Sequence, residues 1–236
     1  MMSLYRKLEW DSQFFGHQIA RIEKDRLDSQ SLDKALSWCA EEGIDCLYFL
    51  CTPDDPATVK LIESASFHFV DIRLEFHWKT EAIVASSNSI REFQEPDLAA
   101  LQQIALQNFG STRFSLDEHF SPNHAAELYK VWITDSCQNA SHKVFVAVQG
   151  SEIMGFITCQ FDSSEVGRIG LIALKREAQR HGYGRQLVQA AQRFFFSAGV
   201  NEVKVVTQGR NIAAQRLYQS CEFRTHKLGL WYHKWF

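Results

Sequence analysis

Apolar residues between Leu187 and Phe195 fall at Leu187, Ala190, Ala191, Phe194 and Phe195, and this i, i+3, i+4, i+7, i+8 spacing lines one face of a helix. Gly199 lies where that helix would stop. Ahead of it, Ile169-Gly170-Leu171-Ile172-Ala173-Leu174 has the continuous apolar character of a buried strand, and Gln179-Arg180-His181-Gly182-Tyr183-Gly184 supplies a glycine turn between the two. A second strand and helix follow. The β-branched run Val203 to Thr207 precedes Asn211-Ile212-Ala213-Ala214-Gln215-Arg216-Leu217-Tyr218, whose apolar face carries Ala214, Leu217, Tyr218 and Cys221.

The same patterns organise the rest of the chain. Residues 4–10 and 17–24 read as short strands, residues 31–42 as a helix with Leu32, Ala35, Leu36 and Cys39 on one face, and residues 46–51 as an apolar strand. Residues 56–66 read as a helix with Pro56 in its first turn, and residues 67–79 as a long strand. The polar stretch Ala85-Ser86-Ser87-Asn88-Ser89 is placed as a linker, giving a first domain over residues 1–84 and a second over 90–236. In the second, the expected strands are 90–94, 143–149, 153–162, 166–174 and 203–207, with closing strands within 223–236. Helices are expected at 95–108 and 121–137, separated by an irregular loop at 109–120. The orders are ββαβαβ and then βααβββαβαβ, an α/β (α+β) protein.

Composition narrows the classes. With 236 residues, 45% hydrophobic and 22% charged, the chain can bury a substantial core. A net charge of -3 implies no broad basic surface for nucleic acid. No uncharged apolar run approaches the roughly 18 residues of a membrane span. Arg6, Lys7, Glu9 and Asp11 interrupt any signal-peptide pattern. The six cysteines include no C-x-x-C pair and several sit in apolar runs, so they are expected as free thiols in a reducing cytosol, with no zinc site and no other metal.

Chemistry concentrates at the glycine turn. Two glycines at a helix start let the backbone come close to a ligand, and the first-turn N–H groups, lacking intrahelical partners, attract an anion such as phosphate. A tight strand-to-helix turn would use the same residues. What tips the reading is the pairing: Gln179-x-x-Gly182-x-Gly184 followed by Asn211-x-x-Ala214-x-x-x-Tyr218 resembles the two acetyl-CoA motifs of the GNAT N-acetyltransferase superfamily. The proline common between strand and loop in that family is absent, with Arg176 near its place. The resemblance implies a GNAT fold with a central mixed, mostly antiparallel sheet flanked by helices. It implies that Ile172, Ala173 and Leu174 pair with the pantetheine arm of acetyl-CoA, while Gln179, Arg180, His181, Gly182, Tyr183, Gly184 and Arg185 surround its diphosphate. It also turns Asn211 and Tyr218 to the thioester, with Tyr218 as general acid toward the departing thiolate. A core tyrosine on a helix face is the alternative for Tyr218. An oxyanion donor is expected among the backbone amides where the strand 169–174 bulges.

The first domain adds Trp10-Asp11-x-x-Phe14-Phe15-Gly16, on residue types alone a buried aromatic anchor beside a turn. In its place ahead of a GNAT domain, and with Phe67-x-x-Val70-Asp71, Thr112-Arg113-Phe114 and Trp231-Tyr232 in the same order, the motif resembles the TDP-fucosamine acetyltransferase family. The first domain then resembles a truncated GNAT unit. What the resemblance implies is acetylation of the 4-amino group of dTDP-4-amino-4,6-dideoxy-D-galactose for enterobacterial common antigen. Asp71 becomes the candidate general base, Arg113 a ligand for the diphosphate or sugar hydroxyls, and Trp10, Phe14 and Phe15 the pocket wall. Each has a plainer alternative: a solvated strand-end Asp71, a solvated loop Arg113, and aromatic side chains that only hold the domain together. Another amine acceptor, such as a protein N-terminus, a polyamine or an antibiotic, and a non-enzymatic acyl-CoA-binding protein also stay open. The expected setting is a cytoplasmic homodimer paired through the aromatic end of the chain, with no nucleic-acid or membrane partner.

Overall fold

A computed structural model describes residues 4–80, 88–108 and 112–236. In chain order its elements are β1 (Tyr5–Lys7), α1 (Glu9–Phe15), β2 (Ile19–Ile22), α2 (Ser29–Glu42), β3 (Cys46–Cys51), α3 (Pro56–Ser64), β4 (His68–Lys79) and β5 (Ile90–Glu92). A 3-10 turn at Glu95–Asp97 leads into α4 (Leu98–Asn108), followed by α5 (Arg113–Leu116), α6 (Pro122–Gln138), β6 (Lys143–Gln149), β7 (Glu152–Phe161) and β8 (Val166–Leu174). A second 3-10 turn at Arg176–Ala178 precedes α7 (Tyr183–Ser197), and β9 (Glu202–Gln208), α8 (Ile212–Ser220) and β10 (Arg224–Trp235) complete the chain. Among the described residues no helix is long and apolar enough to cross a membrane.

The chain divides into two compact units that are discontinuous in sequence. The first takes residues 1–73, 112–124 and 228–236, and the second takes 74–111 and 125–227. The division expected at 85–89 is a contiguous one, and residues 85–87 of that linker lie outside the described residues. Both β4 and β10 therefore contribute residues to each unit.

In the first unit β2 pairs antiparallel with β1 and parallel with β3, and β3 pairs antiparallel with β10 from Cys46↔Trp235 to Cys51↔Leu230. Alternation along β3 sends Leu47, Phe49 and Cys51 into an apolar core with Leu32, Ala35 and Cys39 of α2 and Ile62 of α3. Tyr48 faces the other way, where α1 and the segment 112–124 carry Phe15, Phe114 and Phe120. Where a strand through Trp10 was expected, the strand stops at Lys7 and a two-turn helix follows. Ser12 drives this: its hydroxyl donates to the Leu8 carbonyl at 2.8 Å and accepts from the Ile19 N–H at 2.9 Å, and Gly16 ends the helix with φ +74°. The expected closing strands are one strand, β10. Its aromatic side chains pack inside the unit, with Tyr232 in the core and Trp235 against Phe120.

In the second unit β5, β6, β7 and β8 form an antiparallel run, and β9 joins β8 in parallel. The sheet is mixed and mostly antiparallel, as the resemblance implied. Helix α7 buries Leu187, Val188, Ala191 and Phe195 against Ile157, Cys159, Ile169, Val203 and Val205. The approach is close enough that a Cβ on Gly167 would lie 2.4 Å from Cδ1 of Phe195. Gly167→Ala should therefore cost about 1–3 kcal/mol through overpacking and lower Tm by several degrees. An unchanged thermal melt would mean that the Phe195 ring moves aside freely.

Candidate active site

The second unit holds an opening in its own backbone. Strands β8 and β9 pair in parallel from Val166↔Glu202 to Ile169↔Val205 and no further, although both continue. On its other side β8 has a register shift opposite Ile157 to Cys159, where Gly170 and Leu171 together face Thr158. The buried Thr158 hydroxyl accepts from the Leu171 N–H at 2.8 Å, and a Cβ on Gly170 would lie 2.7 Å from that oxygen. The bulge expected within 169–174 is thus at 170–171, and it requires glycine. The N–H groups of Leu171 and Lys175 point toward β7, the latter donating to the Met154 carbonyl at 2.9 Å. By alternation, the backbone groups of Ile172 and Leu174 turn toward β9, where no paired strand stands opposite them among the described residues.

At the C-terminal end of β8 the chain takes the 3-10 turn, passes Arg180 at φ +66°, and reaches Gly182 at φ +86° as the N-cap of α7. Gly182 offers no side-chain cap to the first-turn amides. Gly184 serves a different need: a Cβ there would lie 3.3 Å from Leu217 Cδ2 and 3.5 Å from Leu174 Cδ1, so its absence lets α7 sit close to α8 and β8. Gln179, Arg180, His181 and Arg185 are exposed around the turn, and Tyr183 is half-buried with its hydroxyl donating to Gln149 Oε1 at 3.4 Å. The uncapped amides and the Arg180 and Arg185 guanidiniums suit a phosphate-bearing ligand.

The other motif residues fall on α8. Asn211 is its N-cap, with Oδ1 accepting from the Ala214 N–H at 3.1 Å. Tyr218 is 3% exposed, its ring centroid 5.9 Å from those of both Phe76 and Phe223. Burial pushes its phenol up, so the proton is held through neutral pH. It has core packing and a retained proton together.

The first unit assembles a second polar cluster. The Arg113 guanidinium lies 4.2–4.4 Å over the rings of Tyr48, Phe114 and Trp231, and Nη1 donates to His233 Nε2 at 3.0 Å. His233 is fully buried, and its Nδ1 donates to Asp117 Oδ2 at 2.6 Å. Asp117 also accepts from Trp235 Nε1, His119 Nδ1 and the His119 N–H at 2.9, 2.8 and 3.1 Å. Burial raises the Asp117 carboxyl, but these donors outweigh it and hold the group well below the usual carboxylate range. Burial lowers His233 to about 4; Asp117 opposes this and the Arg113 charge adds to it. Tyr48 is buried and its hydroxyl has no hydrogen-bond partner among the described residues. Asp11 has a raised pKa because burial outweighs the fields of Arg113, Arg21 and Arg6.

The plainer alternatives for two candidates fail on burial. Asp71 is 3% exposed, four residues into β4, with Oδ1 accepting the Ile72 N–H at 2.8 Å, so it is no solvated strand-end carboxylate. Arg113 is a clamped arginine, and it sits on a helical turn where an irregular loop was expected. The aromatic motif divides: Phe15 is buried against Phe114 and Phe120, whereas Trp10 stacks on Phe14 and stays 42% exposed.

Comparison with known proteins decides the family. Residues 98–223, more than half of the chain, match the acetyltransferase (GNAT) family. The chain belongs to that family. It is 26% identical over 143 residues to a dTDP-fucosamine acetyltransferase of Escherichia coli O6:H1 (strain CFT073), a match covering 60% of this chain and 61% of that protein. The fold resembles a GCN5-related N-acetyltransferase from Sphaerobacter thermophilus, with TM-score 0.69 and 14% identity over 98% of this chain and 76% of that one. It also resembles a tandem GNAT protein from the clavulanic acid biosynthesis pathway, solved without acetyl-CoA, with TM-score 0.61 and 11% identity over 93% and 76% of the two chains.

In this GNAT protein the family match takes in the strand opening, the glycine turn, Asn211, Tyr218 and Arg113, and leaves out Asp71 and the Trp10 motif. Sequence reasoning missed Thr158, Tyr48, Asp117 and His233. Only a partner pattern spanning more than a hundred positions, 117 with 233, would have found the last two. The His233–Asp117 pair makes a pH prediction. His233 has a folded pKa near 4, below the ordinary 6.5, so its contribution is complete above about 6.5 and is lost as pH falls toward 4. Asp117, also depressed, loses its contribution at still lower pH. Unfolding free energy should therefore drop by up to about 3 kcal/mol between pH 7 and pH 4.5 from His233 alone, and His233→Gln should flatten that slope in urea melts.

Proposed function

We propose that this chain is an acetyl-CoA-dependent N-acetyltransferase whose acceptor is the amino group of a nucleotide-linked amino sugar, dTDP-4-amino-4,6-dideoxy-D-galactose in the first instance. The observation that carries the reading is the parted β8–β9 pair beside an uncapped α7 N-terminus. An extended amide-bearing arm can hydrogen-bond along Ile172 and Leu174 while its diphosphate lies on the turn from Gln179 to Arg185. Acetyl-CoA has that shape. For the acceptor, support comes from the likeness to the dTDP-fucosamine acetyltransferase and from the clamped Arg113, whose remaining donors match a diphosphate.

The residues divide the work as follows. The amine attacks the thioester carbonyl, and one backbone N–H facing the β8–β9 opening, left free by the arm, meets the oxyanion. Asp71 takes the ammonium proton before attack, through water. Tyr218 donates a proton to the sulfur as the C–S bond breaks, giving the amide and free CoA thiol. Asn211 caps α8 and so orients the helix that carries Tyr218. Trp10, stacked on the half-buried Phe14, offers an exposed aromatic face to the sugar, and Phe15 holds the fold behind them. The reading puts the enzyme in the cytoplasm as a homodimer. With β10 paired to β3, self-association would use a surface other than that edge.

The deciding assay is CoA thiol release with the dTDP galacto amino sugar, its gluco epimer and spermidine as parallel acceptors. Turnover with the galacto sugar alone supports the reading; turnover with spermidine alone replaces the acceptor; acetyl-CoA binding without release from any of the three overturns the amino-sugar acceptor and leaves a CoA-binding fold with another acceptor or none. Tyr218→Phe should lower kcat about 10²-fold or more with acetyl-CoA affinity nearly unchanged. Unchanged turnover would remove Tyr218 from the chemistry. Arg113→Lys should raise the nucleotide-sugar KM about 10–100-fold and weaken inhibition by free dTDP in parallel, with kcat much less affected.

A further inference from the structure

The second unit carries a histidine and carboxylate cluster that acetyl transfer does not use. Glu75 and His77 are two residues apart on β4 and share a face, while Phe76 and Trp78 between and beyond them enter the core. His77 Nε2 lies 2.8 Å from Glu75 Oε1, and His77 Nδ1 lies 2.6 Å from Glu202 Oε1 on β9. His226 of β10 stacks on His77, with ring centroids 3.6 Å apart and planes at 11°. One ligand atom from each of Glu75, His77 and His226 lies within 4.8 Å of the others.

The ring of His77 sets the requirement. A neutral imidazole has one donor nitrogen and one acceptor nitrogen, yet both of its nitrogens here face a carboxylate oxygen at hydrogen-bond distance. With the proton on Nδ1 toward Glu202, the Nε2 lone pair confronts an oxygen lone pair of Glu75. A positive centre must lie between them, either a second proton or a metal ion. The nearby second imidazole, His226, brings a third donor atom within reach of such an ion. Glu202 behind Nδ1 is the arrangement in which a carboxylate fixes the tautomer of a metal-binding histidine. Lys204 Nζ, 3.8 Å from Glu202 Oε2, holds that carboxylate's other oxygen.

We propose that Glu75, His77 and His226, with Glu202 supporting His77, bind a divalent cation of the zinc class, leaving one coordination position for water. Two nitrogens and a carboxylate oxygen form a donor set that zinc accepts. Ligands at about 2.0–2.1 Å around a tetrahedral zinc lie about 3.3 Å apart, so the Glu75–His77 pair opens by about half an ångström. His226 turns out of the stack to aim its lone pair, which its exposure permits. The sequence predicted no metal because the ligands come from positions 75, 77 and 226, with no ligand spacing along the chain.

The test titrates metal-stripped full-length protein with Zn²⁺ against a chromophoric chelator and repeats it with Co²⁺, whose visible absorption reports tetrahedral nitrogen and oxygen ligation. One ion per chain is expected. His226→Ala should weaken binding at least tenfold, and Glu202→Gln should weaken it about 10–100-fold with all three ligands intact. Both variants should keep the wild-type thermal melt in the absence of metal to within a few degrees. Binding unchanged in His226→Ala, or no uptake at millimolar Zn²⁺, overturns the site and leaves a proton between His77 and Glu75. Since the readout is metal binding, its result is independent of whether the chain acetylates a sugar.

Discussion

A parallel strand pair that stops at Ile169↔Val205 while both strands continue is the constraint from which the second unit's chemistry follows. Buried backbone N–H and carbonyl groups cost free energy when unpaired, so a sheet normally closes such a gap or fills it. Here the gap is held open from the other side of β8. The extra residue at Gly170-Leu171 bends the strand, and Thr158 satisfies the Leu171 amide that the bulge would otherwise orphan. The turn and α7 then deliver further amides, without a side-chain cap, close to the same end of β8. A ligand with its own amides and an anionic group would complete both sets.

The first unit meets a related problem with charges. Its apolar face is an ordinary core, but its other face buries Asp117, His233 and part of Arg113 among aromatic rings. Isolated, each would be costly; arranged as carboxylate, imidazole and guanidinium, each hydrogen bond has a donor meeting an acceptor. The price is specificity of protonation, since Nε2 accepts from Arg113 while Nδ1 donates to Asp117 only when His233 is neutral. It also makes Arg113 a rigid group, which matters for binding because little side-chain entropy is left to lose.

How much of this could be read from the sequence depended on the range of the pattern. Helix α7 and strands β3, β6 and β8 were legible because their periodicity is local, and Gly182 and Gly184 were found because they stand two residues apart in one short motif. Helix α1 was not, although Trp10 and Phe14 stand one turn apart and stack at 5.1 Å; in seven residues that single spacing competes with β propensity. The second unit's bulge was expected but its position was not, since it is set by Thr158 on a neighbouring strand. Discontinuity hid the most. Segments 112–124 and 228–236 join residues 1–73, so Tyr48, Asp117 and His233 meet without any local signal.

Burial of Tyr218 constrains the proposed reaction further. An ordinary phenol, near 10, is already a weaker acid than a thiol near 8.5, and burial among Phe76 and Phe223 moves the phenol higher. Full transfer of its proton to a free thiolate in water would run uphill. Two circumstances change that balance. A thiolate leaving into the same dry surroundings is raised as well, and the sulfur becomes basic only while its bond to carbon breaks, so donation accompanies cleavage. The attacking nitrogen, turned cationic in the tetrahedral intermediate, is the strongest acid present and must shed a proton before the amide forms. In the proposed reaction Tyr218 would serve as a conduit that gives a proton to sulfur and is restored from nitrogen, directly or through water, and a phenol reluctant to ionise suits that task because it would not accumulate as phenolate.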